Sequence, residues 1–170
     1  MVDPNPRHPD RRLRIALAHD WLVGMRGGER VLEAIARTLG SEHEITAIYT
    51  MFDDGRALST DLDRIPRRVA WLGRLPGSTR LRRWLLPCYP AAVEALSRRL
   101  ERDHAKAPID LVISTSSAAI KGLRAPRGVP HVCYCHTPAR YLWSQAEQYA
   151  GGLRGLGLAA FGGRVRGWER

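Results

Sequence analysis

The chain has 170 residues, enough for one domain with a proper core and short for two. Hydrophobic residues make up 44%, a globular composition, and no run of about 18 apolar residues exists that could serve as a membrane-spanning helix. Lysine and arginine number 27 against 17 aspartates and glutamates, a net charge of +10, and only Lys106 and Lys121 among the cations are lysine. That balance suits a polyanionic partner: nucleic acid, an anionic membrane surface or a phosphate-bearing substrate.

Residues 1–12 carry Pro4, Pro6 and Pro9 and no apolar core, so they read as a disordered arm and not as a secretory signal. Three cysteines are too few for a disulfide framework, and the expectation is a cytoplasmic setting. The run 14–19 is a buried strand, followed by a loop from Asp20 to Gly28 holding Gly24, Gly27 and Gly28. From Gly28 to Leu39 the period turns helical, with Val31, Leu32, Ile35 and Leu39 on one face and Gly40 as the stop. Glu29 stands in the first turn, where the helix dipole favours a carboxylate. A second strand follows at 44–50, a third short one at 69–72, and a helical turn or two at 80–86. Pro90 opens a better helix bearing Val93, Leu96 and Leu100. The stretch 110–114 is a strand leading into Thr115, Ser116 and Ser117, an N-cap cluster for a helix through Lys121 that Gly122 ends. The last strand is 130–136, and Thr137-Pro138 opens a helix through Tyr149. Residues 151–170 form a glycine-rich tail with the start of a further helix.

Strand, glycine loop, helix and strand in this order predict an α/β fold, a Rossmann-like parallel sheet flanked by helices. Ligands of such sheets bind at the carboxyl ends of the strands. The polar residues expected there are His19, Asp20, Ser114 to Ser117 and His136 to Arg140. Asp20, Ser116, Lys121 and Arg140 are therefore the candidates to line a cleft.

Gly24 to Glu29 can bring backbone N–H groups close to a phosphate at a helix N-terminus, or can simply be a tight turn. It is neither the dinucleotide fingerprint nor a Walker motif. Cys133-Tyr134-Cys135-His136 invites a zinc reading, but it lacks a second cluster, and the expectation is no metal. His136 is either a ligand-directed side chain or a structural histidine. Arg80, Arg82, Arg83 and Trp84, interleaved with leucines, make either an interfacial membrane patch or a solvated basic face. Nucleic-acid binding has no signature to support it.

Three groups of residues carry a family resemblance: His19-Asp20-Trp21-Leu22; Gly24 through Leu32, with two adjacent glycines before Glu29; and Cys133 through Pro138, followed by Arg140, Tyr141 and Trp143. With Ile48-Tyr49-Thr50, Asp110 to Ser114 and Lys121-Gly122 between them, they resemble the N-terminal half of family-4 glycosyltransferases. The nearest group is the mannosyl- or rhamnosyltransferase-like enzymes of bacterial polysaccharide synthesis. The resemblance spans about residues 13–150 and implies a GT-B architecture, with two Rossmann-like domains facing across a cleft. It implies sugar transfer with retention, without a required metal, from a GDP- or UDP-linked sugar to a lipid-linked or polysaccharide acceptor. Gly27 and Gly28 would then lie near the donor diphosphate and His136 near the transferred sugar. The donor-binding C-terminal domain of the family is not in the sequence. The expectation is a fragment, a truncated product or half of a split enzyme, inactive alone and peripheral at the inner membrane face. The rival expectation is a non-catalytic basic binding module, regulatory or nucleic-acid binding.

Overall fold

A computed structural model describes residues 11–82 and 84–136. Five strands form one parallel sheet: β1 (Arg14–Leu22), β2 (Glu44–Asp53), β3 (Arg67–Val69), β4 (Leu111–Ser116) and β5 (His131–Cys135). Their order is β3-β2-β1-β4-β5, so the chain builds outward on one side of β1 and then crosses to the other. That crossing is the topological switch point, between the carboxyl ends of β1 and β4. The α/β reading and the parallel, helix-flanked sheet are as the sequence predicts.

Alternation along β1 divides the core. Ile15 and Leu17 point to one face, where they pack with Leu32 and Ala36 of α1 (Gly27–Gly40). Ala16 and Ala18 point to the other, against Val93, Leu96 and Leu100 of the long helix Tyr89–Lys106. Small alanines on that side let the helix approach closely, and each buried leucine contributes about 1.5–3 kcal/mol. Pro90 stands in the first turn of that helix, where its missing N–H costs nothing. Two single-turn helices, α2 (Thr60–Asp63) and α3 (Ser78–Leu81), lie between β2 and the long helix, which becomes α4 in chain order.

Several boundaries differ from the sequence reading. β1 continues through Asp20, Trp21 and Leu22, so the loop shrinks to residues 23–26 and α1 starts at Gly27. The cause is pairing: Trp21 and Leu22 stay in register with Phe52 and Asp53 of the equally lengthened β2. The third strand is Arg67–Val69, and Trp71 and Leu72 belong to a 3-10 turn, Trp71–Arg74. The helix expected from Ser117 to Lys121 is absent: β4 absorbs Thr115 and Ser116, and only a 3-10 turn, Ile120–Gly122, follows. Residues 1–10 of the arm, the helix expected from Thr137 and the glycine-rich tail lie outside the described residues. Arg11 of the arm pairs with Asp110 at 2.5 Å. Among the described residues no helix is long and apolar enough to cross a membrane.

Candidate functional site

The carboxyl ends of β1, β4 and β5 and the N-terminus of α1 meet at the switch point. Gly24, at φ 121°, turns the chain out of β1 in a conformation that favours glycine. Arg26 caps α1 in extended conformation, and its N–H donates to Glu29 Oε2 at 3.3 Å. The first amides of a helix have no partner within it, so Gly27 and Gly28 present N–H donors and the positive end of the helix dipole. The two glycines face different surroundings. A side chain at Gly27 would meet nothing within 4 Å. A Cβ at Gly28 would lie 3.1 Å from Cε1 and 3.4 Å from Nε2 of His19, and 3.7 Å from Nε2 of His136. Gly28 thus lets two imidazoles close on the helix start.

His136 follows β5 directly. Its N–H donates to the Ser116 carbonyl at 2.9 Å, extending the sheet pairing by one residue. Its ring meets Tyr134 edge-on, with centroids 4.9 Å apart. His19 is buried in β1, with Nδ1 3.0 Å from the carbonyl oxygen and 2.5 Å from Oγ1 of Thr115. The carbonyl can only accept and the hydroxyl can do either, so a proton on Nδ1 would serve the carbonyl and leave the lone pair on Nε2. Burial pushes His19 below the ordinary histidine range, against the pull of Asp20, Glu29 and the Thr115 carbonyl. The neighbouring His136 acts in the same direction as burial.

Two cleft candidates are closed to solvent. Asp20 is 0% exposed, and its carboxylate accepts four backbone N–H groups. Ser117 and Ala118 donate to Oδ2 at 2.7 and 2.9 Å, and Ala119 and Ile120 donate to Oδ1 at 2.9 and 2.8 Å. The Ser116 hydroxyl donates to the same carboxylate at 3.2 Å and is equally buried. Asp20 and Ser116 therefore hold the β4 turn together and do not line a cleft. The same bonds explain the missing helix: the amides that would begin it are bent around one carboxylate. Lys121 lies half-buried in the 3-10 turn, its N–H 3.4 Å from Ser116 Oγ. Arg140 and Arg83 lie outside the described residues.

The remaining basic candidates lie in and after α3. Arg80 of α3 is exposed, and Trp84 is 50% exposed. Arg82 is half-buried: its guanidinium lies 6.0 Å from the Trp21 ring centroid and donates to the Thr79 carbonyl at 2.7 Å. Trp71, Leu75 and Leu81 are also exposed in this region. Cys133 and Cys135 are exposed on β5. Among the described residues no three His, Cys, Asp or Glu side chains converge as a metal site.

The sequence reading placed His19 at a strand end without assigning it a role, and used Glu29 only as a dipole partner. Continuing the apolar β1 pattern through Trp21 and Leu22 would have signalled that His19 is enclosed. A family model described as Glycosyltransferase Family 4 matches residues 25–166. The chain belongs to this family. Gly27, Gly28 and His136 lie within the stretch that this glycosyltransferase-family domain covers, whereas His19 and Asp20 precede it. No match is found among curated proteins or among solved structures.

Proposed function

We propose that this glycosyltransferase-family domain forms the acceptor-side half of a retaining, GT-B-type enzyme. It would transfer a sugar from a GDP- or UDP-linked donor to a lipid-linked or polysaccharide acceptor. The observation that carries the reading is the meeting of α1 and His136 over Gly28 at the switch point. Amides and dipole at Gly27 and Gly28 suit the charge of a departing diphosphate, and an imidazole beside them suits the transferred sugar. In this reading a donor-binding domain must face this one before transfer occurs, because only then are donor and acceptor held for attack. The direct test is a titration with GDP, UDP and their sugars, followed by amide resonances. Shifts centred on Gly27, Gly28 and His136 are expected. Shifts elsewhere, or none at millimolar nucleotide, overturn the assignment.

The same reading extends to the membrane. Trp71, Leu75, Leu81 and Trp84 are exposed apolar side chains beside the exposed Arg74 and Arg80. Amphipathic aromatic side chains with nearby guanidinium groups suit an anionic bilayer surface, each cation contributing about 1 kcal/mol. The protein is expected to float with vesicles containing anionic lipid and not with neutral ones. Substituting Trp71 and Trp84 by Ala together should remove most of the flotation. Absence from both vesicle types removes the membrane part of the proposal.

A further inference from the structure

Three buried polar atoms at the switch point lack a hydrogen-bond partner among the described residues: His19 Nε2, Glu29 Oε1 and His136 Nε2. They come from β1, from the first turn of α1 and from the end of β5. A buried polar atom without a partner is costly, and three in one place call for a joint explanation. The two imidazoles approach the same point, the missing side chain of Gly28. With its proton on Nδ1, donated to the Thr115 carbonyl, His19 can only accept at Nε2. A neutral His136 can match it only with its own proton on Nε2.

We propose that His19 is a positioning residue for His136: its Nε2 lone pair receives the Nε2–H of His136 as the two rings close over Gly28. This fixes His136 as the Nε2–H tautomer and leaves Nδ1 as its acceptor. The groups facing His19 are Asp20 on its own strand, Glu29 on α1, Thr115 on β4 and His136 after β5. Asp20 is already taken up by four amides, whereas Glu29 Oε1 has no partner among the described residues. The tautomer rests on the Thr115 carbonyl beside His19 Nδ1 and on the approach of both rings to Gly28. Only its use, acceptance of a ligand hydroxyl by Nδ1, rests on the sugar-transfer reading.

Ring nitrogen resonances of the histidine-labelled protein at pH about 8, where imidazoles are neutral, test the assignment. The wild-type chain should show His136 with its proton on Nε2, and a proton on Nδ1 overturns the proposal whatever any variant does. His19→Leu should redistribute the proton between the two nitrogens of His136, while His19→Gln, which keeps an acceptor, should largely preserve it. An unchanged His136 in folded His19→Leu overturns the assignment. So does a change in Glu29→Gln without one in His19→Leu, because the acceptor would then be the carboxylate. None of these outcomes depends on nucleotide binding or sugar transfer, so they fail separately from the proposed activity.

Discussion

At Asp20 one carboxylate gathers four amides from a turn that lies up to 100 residues further along the chain. Replacing it with Asn keeps one acceptor oxygen and turns an NH2 group toward N–H donors. Asp20→Asn should therefore cost about 3 kcal/mol, read as a lower urea midpoint with an unchanged slope. The two glycines of α1 give a paired prediction. Gly27→Ala meets open space and should leave stability unchanged or raise it by up to about 1 kcal/mol. Gly28→Ala presses its methyl against His19 and should lower stability by about 1 kcal/mol or more. If nucleotide binds where proposed, Gly27→Ala should weaken it without weakening the fold. Equal binding by Gly27→Ala and wild type would place the ligand elsewhere. The glycines were visible in the sequence because they cluster before the first helix, and His136 because it ends an apolar strand. The role of Asp20 was not, because its partners are distant in the chain and only the fold brings them near.

Elements with a strong apolar pattern were the most legible. β1, β4 and α4 have continuous or periodic apolar patterns, and the sequence placed each to within a few residues. β3 was misplaced because its three residues pair only at the edge of β2, and Arg67 and Arg68 carry no apolar signature. Arg67 is held there by Asp53 at 3.0 Å and by Asp63, contacts that no local pattern announces. The turn after β3 depends on close packing. A Cβ at Gly73 would stand 2.2 Å from the Met51 carbonyl oxygen near the carboxyl end of β2. Backbone cannot move aside as a side-chain tip can, so Gly73→Ala should cost about 3 kcal/mol in chemical denaturation. Gly77→Ala is the less informative neighbour, because its φ of 70° mixes backbone strain with packing.

Across the whole molecule, pH acts through His19, which is buried, and His131, which is half-buried. Burial holds both His19 and His131 below the ordinary value of 6.5, so both are neutral in the fold at neutral pH. The unfolded chain takes up protons as pH falls through 6.5 while these two resist, so stability is full above that value and declines below it. Urea midpoints at about pH 7.5 and 5.5 should differ in that direction, and His19→Gln should reduce the difference. A midpoint independent of pH across this window would contradict the lowering at both rings. One consequence of the Asp20 cluster concerns polarity. Two turns border the crevice beside β1, and each would ordinarily offer amide hydrogens to an incoming anion. One of them is already neutralised from within, which leaves α1 as the electropositive one of the two. Under the proposed reading, a pyrophosphate entering the groove has one seat, and the sugar it carries is oriented by that asymmetry before any second domain closes over it.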